Sequence, residues 1–548
     1  MIKRLLCLGV VATMMVGMLT ACNGTSSNSS NSSSETETTT AGVVDGEYAY
    51  EQELNIIDDN YRNFYEIFVY SYCDSDGDGI GDFKGATSKL DYIADMGFNG
   101  IWLMPIMQSP TYHKYDVVDY YSIDEQYGSI DDFKEFVNEC HERGINVIID
   151  LVMNHSSSKH PWFTQACDYL KNLPEGAEPN PEECKYVEYY HFSKERPGAT
   201  WYPVAGSKYY YEGQFVSTMP DLNVGNEAVR AEFEEIAKFW IDMGVDGFRM
   251  DAVMHFDEVD TNYNIETINW LYNYCLGLNP DFYMVSEVWS GQSTIANYYA
   301  SDAPSYFNFP FGNSEGTLIK TGRNGTATVF VKQLLKSQED FSAQNPDYID
   351  APFITNHDMG RVANTLMSDP VKLKMTAGLL MTMGGSPFVY YGEEIGMKSS
   401  GEKDENKRLP MVWSKTDKTG ITGLAPNANS GIESAFPGVD EQLEDEDSLL
   451  NYYKRAIRIR NENPEIARGE IKLVESLCVD HQAAITKTYE GSTIGIVYNT
   501  SDAEMTITLT GTELEAMGIR GYLTPNGEVV TLKDGALVLP AKSICFLK

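Results

Sequence analysis

Apolar runs alternate with amphipathic segments from about Tyr61 onward. The run Ile145–Leu151 is continuous, which is typical of a strand buried on both faces of a parallel sheet. Residues 131–143 alternate as an amphipathic helix that ends at Gly144. Eight strand-like segments are placed in this way: Tyr65–Tyr70, Asn99–Leu103, Ile145–Leu151, Val245–Met250, Phe282–Ser286, Tyr306–Phe309, Pro352–Thr355 and Pro387–Tyr391. This order predicts an α/β fold, a (β/α)8 TIM barrel with its active site at the C-terminal strand ends; a doubly wound parallel sheet is the alternative.

Two further units interrupt or follow the barrel pattern, which covers 61–155 and 217–465. Residues 156–216 are rich in Tyr, Pro and Glu and too long for a simple connection, so they predict a small inserted domain after strand 3. Residues 466–548 carry short period-two strands between Gly and Asn turns, which predicts a C-terminal antiparallel β-sandwich domain. We expect that domain to cap the barrel rather than to bind a ligand.

The N-terminus has the pattern of a targeting signal. Lys3 and Arg4 precede the apolar run Leu5–Met18, which is too short for a stable membrane-spanning helix. Leu19-Thr20-Ala21-Cys22 resembles the lipobox of bacterial lipoproteins, so we expect a signal peptide over 1–22 and lipidation of Cys22. An ordinary secretory signal is the alternative. Residues 23–60 begin with Asn, Ser, Thr and Glu and predict a flexible tether to the outer face of the cell membrane or the cell surface.

Composition narrows the range of partners. The chain carries 41 Lys and Arg against 80 Asp and Glu, a net charge of −39, which argues against a nucleic-acid partner. Hydrophobic residues make up 42%, enough to bury a sizeable core. No apolar span beyond the signal is long enough for a bilayer, so membrane contact is expected only through the lipid anchor. The cysteine spacing resembles no zinc site, and a Cys167–Cys184 bridge and free thiols both remain open.

Polar and acidic residues follow four of the predicted strands. They form the segments Asp150–His155, Arg249-Met250-Asp251, Ser286-Glu287 and Asn356-His357-Asp358. A single strand-end Asp is usually a helix cap, but capping does not explain four such ends at one side of a barrel. Charged groups after apolar runs are costly unless they are paired or functional.

A pair of carboxylates in a cleft suits glycoside hydrolysis. In retaining enzymes one carboxylate is the nucleophile and the other the acid and base, about 5–5.5 Å apart. Neighbouring strands would bring Asp251 and Glu287 together. Arg249 would keep Asp251 ionised, and a nearby carboxylate would raise the pKa of Glu287, as a proton donor requires.

Six motifs occur in an order that resembles the α-amylase superfamily, glycoside hydrolase family thirteen, across nearly everything after the tether. They are Gly100–Pro105, Asp150–His155, Met219–Asn223, Gly247–His255, Glu287–Trp289 and Asn356–Asp358, with Arg408–Trp413 also similar. The resemblance implies that Asp251 is the nucleophile, Glu287 the general acid/base and Asp358 a third catalytic residue that grips the sugar. It implies a substrate-binding set of His113, Tyr115, Asp116, His155, Arg249, His357 and Arg361. Tyr115 would stack on the sugar, and Asp116 would orient Arg249 or pair with Arg361.

Departures from the family pattern refine the expected activity. Lys114 stands where the family usually has Gly, which leaves the shape of the loop before Tyr115 uncertain. Met219 and Ala252 differ from the residues usual in α-1,6-glucosidases and resemble a group between oligo-1,6-glucosidases and neopullulanases. Residues 41–60 are too few for the additional β domain of dimeric relatives, so we expect a monomer.

The leading hypothesis is a hydrolase of α-1,4 bonds in starch and maltodextrin that acts with retention of configuration. A 4-α-glucanotransferase, a neopullulanase or cyclomaltodextrinase and an α-glucosidase on the same fold are the alternatives. A non-catalytic glucan-binding protein would be expected to have lost a carboxylate, and none is lost here.

An acidic loop follows the first strand. It carries oxygen ligands at alternate positions with glycines between them, as Ca²⁺ prefers: Asp74, Asp76, Asp78, Ile80 through its carbonyl, and Asp82. The segment lacks the Glu of an EF-hand, since that position is Gly85, but it resembles the calcium loop of several family members. A solvated acidic turn is the alternative. The ion would be structural, because the carboxylates at the strand ends do the chemistry.

Overall fold

The computed structural model describes residues 52–399, 401–431 and 434–548, all within the unit Val43–Lys548. The predicted signal peptide, the lipidation of Cys22 and most of the predicted tether lie outside the described residues. The last part of the predicted tether, 52–60, contacts the barrel. The Gln52 amide donates to Glu462 Oε1 (3.2 Å) and the Asn55 amide to the Asn461 carbonyl (3.0 Å).

Strands and helices alternate through the first two thirds of the chain and strands dominate the last part. The strands are β1 Phe64–Ile67, β2 Gly100–Leu103, β3 Met107–Gln108, β4 Asp119–Ile123, β5 Asn146–Leu151, β6 Phe192–Ser193, β7 Trp201–Pro203, β8 Tyr210–Glu212, β9 Gly247–Met250, β10 Tyr283–Ser286, β11 Ser305–Tyr306, β12 Phe388–Tyr390, β13 Glu470–Leu473, β14 Gln482–Tyr489, β15 Ser492–Asn499, β16 Met505–Thr508, β17 Ile519–Leu523, β18 Thr531–Lys533, β19 Ala536–Leu539 and β20 Ser543–Leu547. The α-helices are α1 Phe83–Thr87, α2 Leu90–Met96, α3 Ile130–Glu142, α4 Pro161–Asn172, α5 Glu227–Asp242, α6 Thr261–Leu278, α7 Gln292–Tyr298, α8 Thr317–Asn324, α9 Ala327–Ser342, α10 Val362–Thr365, α11 Pro370–Thr382, α12 Val439–Leu443, α13 Leu449–Glu462 and α14 Glu465–Arg468.

The predicted barrel is confirmed. A seven-stranded parallel sheet has the order β11-β10-β9-β5-β2-β1-β12. Two parallel bridges, Phe307 with Ala351 and Phe353 with Phe388, join its two edges through the segment around 351–353. That segment occupies the place of the predicted strand Pro352–Thr355, although only isolated bridges form there. The chain therefore closes into a barrel whose neighbouring strands and bridged segments all run parallel.

Aromatic side chains fill the barrel interior. Trp102 lies with its ring centroid 5.3 Å from that of Phe307, and Phe307 lies 4.9 Å from Phe388. Phe64 from β1 stacks on Phe388 at 4.6 Å. These rings, almost fully buried, leave the polar strand-end residues at one end of a solid core.

The segment between β5 and α5 contains the region predicted as an inserted domain. It carries helix α4 and a small antiparallel sheet of order β6-β8-β7. Phe163 of α4 packs against Tyr211 of β8 with ring centroids 4.8 Å apart. An isolated antiparallel bridge between His155 and Asp221 ties the two ends of this segment together at the barrel.

The C-terminal domain has two antiparallel sheets, in agreement with the prediction. Their orders are β13-β14-β15-β20-β17 and β16-β19-β18. Val497 and Cys545 of the larger sheet share a core with Ile507 and Leu537 of the smaller one. Ile496 and Phe546, on the opposite face of the larger sheet, belong to the same core as the barrel.

Two remaining features bear on the sequence predictions. Cys167 and Cys184 are free thiols, so the bridge left open above does not form in this structure. Among the described residues, every helix falls short of the length or apolarity needed to cross a membrane.

Candidate active site

One guanidinium group joins the residues that end strands β5, β9 and β10. Asp150 lies opposite Arg249 in the parallel register of β5 and β9, so their side chains share one face of the sheet. Arg249 Nη1 lies 2.8 Å from Asp150 Oδ1 and 2.5 Å from Asp251 Oδ1, and Nη2 lies 2.8 Å from Glu287 Oε2. The two predicted catalytic carboxyl groups are therefore held by adjacent nitrogens of a single buried cation.

The backbone after β9 turns sharply at the site. Ala252 has φ of +49°, in the left-handed region that a non-glycine residue rarely adopts. This turn aims its amide at Glu287 Oε2, 3.2 Å away. The amide and Arg249 together fix one oxygen of Glu287 beside Asp251 before any substrate binds.

A second group of polar side chains lies near this pair. The Tyr115 hydroxyl is 3.1 Å from Asp150 Oδ2 and 2.7 Å from His357 Nε2. His357 Nε2 also lies 3.0 Å from Asp358 Oδ2. Arg408 donates from Nη2 to Asp358 Oδ1 at 2.7 Å. We call Tyr115, His357, Asp358 and Arg408 the polar wall.

Burial and neighbouring charges shift the pKa values of Glu287 and Asp358 in opposite directions. Burial raises the pKa of Glu287; Arg249 lowers it in part, and Asp251 and Asp358 raise it. Burial alone would also raise the pKa of Asp358, but the His357 and Arg408 charges hold it well below its usual range. Glu287 is therefore suited to carry a proton and Asp358 to remain ionised.

Some of these groups line a cavity of about 600 Å³, whereas the predicted residues Arg249 and His357 are buried and are not among its lining residues. The structure brings six of the predicted site residues to this cavity: His113, Tyr115, His155, Asp251, Glu287 and Asp358. His155 Nε2 is buried and has no hydrogen-bond partner among the described residues, and burial lowers the pKa of this histidine. A neutral ring with a free nitrogen at the cavity is suited to a substrate hydroxyl.

Apolar side chains line the part of the cavity that the sequence analysis did not anticipate. They are Phe215, Val216, Met219, Met254 and Trp289. Trp289 is 50% exposed and stacks on Phe309 with ring centroids 4.9 Å apart. A half-exposed indole beside Glu287 provides a flat surface of the kind that sugar rings contact.

Two of the predicted substrate-binding residues lie elsewhere. Asp116 is buried, and its carboxylate accepts hydrogen bonds from Ser109 (2.8 Å) and Thr111 instead of pairing with an arginine. Arg361 donates to the carbonyl of Tyr391 (2.6 Å) and lies over the Tyr390 ring. Neither residue is among those that line the cavity in the part of the chain that is described. Both hold the loops around the site rather than face it.

Sequence reasoning missed three partners of the predicted residues. Asp150 pairs with Arg249, Glu66 with His357, and Arg408 with Asp358. Asp150 and Arg408 lay within recognised motifs but had no role assigned. Glu66 gave no signal, because a lone Glu in a buried strand has no distinguishing neighbour.

The acidic loop brings three of its five predicted ligands together. Carboxylate oxygens of Asp74, Asp76 and Asp78 lie within 4.8 Å of one another. Asp82 is not in this group, since it caps helix α1: its carboxylate accepts from the Gly85 amide and from Ser75 (both 2.8 Å to the amides). The loop therefore presents a cluster of hard oxygen donors whose members fit a divalent cation.

Comparison with known proteins identifies the family. A model described as "Alpha amylase, catalytic domain" matches residues 66–469. The chain belongs to the alpha-amylase family. It is similar to Alpha-amylase 3 of Dictyoglomus thermophilum, 38% identical over 76% of this chain and 80% of that one. It is also similar to a 4-alpha-glucanotransferase of Thermotoga neapolitana, 30% identical over 80% of this chain and 96% of that one.

A solved structure resembles the whole described fold. It is Eubacterium rectale Amy13B, 44% identical, with a TM-score of 0.87 over 90% of this chain and 97% of the other. As a member of the alpha-amylase family, the protein is a glycoside hydrolase-type enzyme of the group that hydrolyses or transfers α-glucans. The relatives differ in specificity, so the bond and the acceptor are matters for proposal.

Proposed function

We propose that the protein hydrolyses α-1,4 bonds of starch and maltodextrin with retention of configuration, through a covalent glycosyl-enzyme on Asp251. The observation that carries the proposal is the Arg249 guanidinium, which binds Asp251 Oδ1 at 2.5 Å and Glu287 Oε2 at 2.8 Å. Two carboxyl groups held by one cation can address opposite sides of a single glycosidic bond.

The first half of the reaction uses both groups at once. Glu287 gives its proton to the glycosidic oxygen, so that the leaving sugar departs as a neutral alcohol. The Asp251 carboxylate, paired with Arg249, attacks the anomeric carbon and forms an ester with the retained sugar. Asp358 and His155 would hold the hydroxyl groups of that sugar, and Tyr115 would lie against its ring.

The second half returns the enzyme to its starting state. Glu287, now a carboxylate, takes a proton from water, which attacks the anomeric carbon and releases Asp251. Two displacements at one carbon retain its configuration. A sugar hydroxyl in place of water would give transfer, which is the second candidate function and is supported by the similarity to 4-alpha-glucanotransferases.

Substitution of the nucleophile tests the assignment. We expect Asp251→Asn to lower kcat on maltoheptaose by at least about four orders of magnitude, because no glycosyl ester forms. The melting temperature should change little, since Arg249 still contacts the amide. A rate close to that of the parent enzyme would refute the role of Asp251. Sizing of early products from starch, pullulan and cyclodextrin then separates hydrolysis of α-1,4 bonds from the alternatives.

We also propose that the cluster of Asp74, Asp76 and Asp78 binds a structural Ca²⁺. Backbone amides of residues 76, 77 and 79 donate to the Asp74 carboxylate at 3.1, 2.7 and 2.8 Å, which shapes the loop around its acidic side chains. The ion would stabilise the connection between β1 and α1 and take no part in bond cleavage.

The site in the cell follows from the sequence predictions alone. We propose a monomer tethered through a lipid on Cys22 to the outer face of the bacterial membrane, where it acts on glucan from the surroundings. Metabolic labelling with a palmitate analogue should mark the parent chain and leave a Cys22→Ala variant unlabelled.

A further inference from the structure

His357 lies between two carboxylates at the base of the polar wall. Its Nδ1 is 2.5 Å from Glu66 Oε1, and its Nε2 is 3.0 Å from Asp358 Oδ2. The side chains of His357 and Glu66 are 0% and 2% exposed. Glu66 comes from the middle of β1, so the second carboxylate is supplied by the barrel and not by the substrate-facing loops.

The acceptors around the ring indicate its protonation state. The Tyr115 hydroxyl has one proton and lies within bonding distance of both Asp150 Oδ2 and His357 Nε2. Arg249 and Trp102 both donate to Asp150, which favours Asp150 as the acceptor of the Tyr115 proton. Asp358 Oδ2 lies 3.0 Å from Nε2, and its carboxylate also pairs with Arg408, so it is an acceptor that calls for a hydrogen on Nε2. Nδ1 faces a carboxylate and carries a hydrogen as well.

We propose that Glu66 is a positioning residue that keeps His357 doubly protonated, so that its Nε2–H is a permanent donor in the polar wall. The ring thereby orders the Tyr115 hydroxyl and the Asp358 carboxylate, which contact the sugar. The proposal rests on the proposed function for what the wall binds, but the protonation state of the ring does not depend on it.

The surroundings of the ring include charges of both signs. Burial alone would lower the pKa of His357, but the Asp358 and Glu66 carboxylates raise it to about 9. Arg408 donates from Nε to the His357 carbonyl at 3.2 Å. The titratable and charged groups around it are Glu66, Tyr115, Asp150, Arg249, Glu287, Asp358 and Arg408.

Histidine NMR tests the proposal without any activity measurement. In the ¹⁵N-histidine-labelled protein, both His357 nitrogens should be protonated at pH 7 and lose a proton only near pH 9. A His357→Gln variant assigns the resonance. In Glu66→Gln the midpoint should fall by about one pH unit or more, because one facing charge is lost. A neutral His357 ring at pH 7 in the parent protein, or an unchanged midpoint in the variant, would overturn the proposal.

Kinetics separate charge from orientation. The Gln side chain at this position can still accept from Nδ1–H, so Glu66→Gln preserves the ring orientation and removes only the charge. Because the variant ring should lose its second proton at lower pH than the parent ring, we expect the ratio of kcat/KM of Glu66→Gln to that of the parent on maltoheptaose to fall as pH rises from 7 toward 9. The control is Glu394→Gln, the same change in another fully buried glutamate, whose Oε1 binds Tyr65 and Tyr92 instead of His357.

The outcomes are distinct. If Glu66→Gln keeps the parent kcat/KM over that pH range while Glu66→Ala loses it, Glu66 only orients the ring and the proposal fails. If the parent enzyme does not act on maltoheptaose, the proposed function fails while the NMR result still decides the state of His357. If Glu66→Gln does not fold, the protonation state in the parent protein alone decides.

Discussion

Lys114 occupies a backbone position that favours glycine. Its φ is +64°, in the left-handed region, and its side chain is almost fully buried. The Nζ lies 3.0 Å from Asp124 Oδ2 and donates to Gln126 Oε1 at 2.6 Å. His113 and Tyr115 flank it and face the cavity. A buried ion pair thus compensates for the strained backbone, which explains how this loop forms without the usual Gly.

Removal of this buried lysine should lower the free energy of unfolding more than removal of an exposed one. Lys114→Ala keeps the strained backbone and leaves Asp124 buried without its cation, so we expect a loss of roughly 3 kcal/mol in the free energy of unfolding. Lys114→Gly should lose less, because the strain is relieved. Urea unfolding measures both. Lys84→Ala, which removes an exposed ion pair with Asp132, should change stability by less than about 1 kcal/mol. Equal effects of Lys84→Ala and Lys114→Ala would contradict this explanation.

The raised pKa of Glu287 predicts how the rate depends on pH. Burial is the largest cause of the increase, and Asp251 adds to it. Protonated Glu287 is the active form, so kcat/KM on maltoheptaose should decline as pH rises through that pKa. Fluoride departs without a proton, so kcat/KM on α-maltotriosyl fluoride should decline much less over the same range. A parallel decline on both substrates would mean that another group titrates.

The position at which each strand ends determines which side chains meet at the active site. The predicted strand Val245–Met250 begins two residues before β9 and ends at the same residue, so its polar end is where the sequence analysis put it. The segment predicted as Pro352–Thr355 closes the barrel through bridges only. The clearest difference between prediction and structure is at helix α1. Its N-cap is Asp82, which the sequence analysis expected to bind Ca²⁺. A carboxylate that caps a helix has fewer lone pairs for a metal.

Calcium removal can separate the proposed metal-binding role of the acidic loop from the helix-capping role of Asp82. We expect chelation to lower the melting temperature of the parent protein, since an ion bound only to the folded state stabilises it. Asp76→Asn should weaken calcium binding and reduce that difference. Asp82→Asn should cost at most about 1 kcal/mol, whether or not calcium is present, because Asn also caps helices. A melting temperature unaffected by chelation would remove the case for a structural ion.

The barrel and the C-terminal domain share one core. Ile496, Leu523 and Ile544 of the larger C-terminal sheet belong to the same buried cluster as the barrel strands. Gly378 of helix α11 lies at this contact: a Cβ there would come within 2.7 Å of the Tyr452 hydroxyl and 2.9 Å of Ile544 Cδ1. The domain therefore packs tightly enough to constrain a helix of the barrel, consistent with the capping role expected from the sequence.

Replacement of glycine by alanine should have opposite effects on the free energy of unfolding in helices α6 and α11. Alanine favours helices by up to about 1 kcal/mol over glycine, so Gly277→Ala in α6, where a Cβ meets nothing within 4 Å, should raise the free energy of unfolding. Gly378→Ala should lower it despite the same propensity, because the added methyl group clashes with Tyr452 and Ile544. Thermal unfolding of the two variants tests this prediction. Stabilisation by Gly378→Ala would show that helix α11 packs loosely against Tyr452 and Ile544.

The sequence by itself determined the barrel, the C-terminal domain and the identity of the catalytic carboxyl candidates. Strand periodicity and polar strand ends are local properties, and motifs such as Gly247–His255 keep their spacing whatever the surrounding loops do. Asp251 and Glu287 could be paired because neighbouring parallel strands end at the same side of a barrel.

Only the tertiary structure decided how charges are partnered. Glu66 and His357 are far apart in the chain. They meet because β12 pairs with β1 on one side and is bridged by Phe353 on the other, an arrangement that no local pattern encodes. Asp116 and Arg361 were predicted to bind substrate, but their hydrogen bonds go to Ser109 and to the Tyr391 carbonyl. A hydrogen bond depends on distances of a few tenths of an ångström, which packing of the whole barrel sets and sequence spacing alone does not.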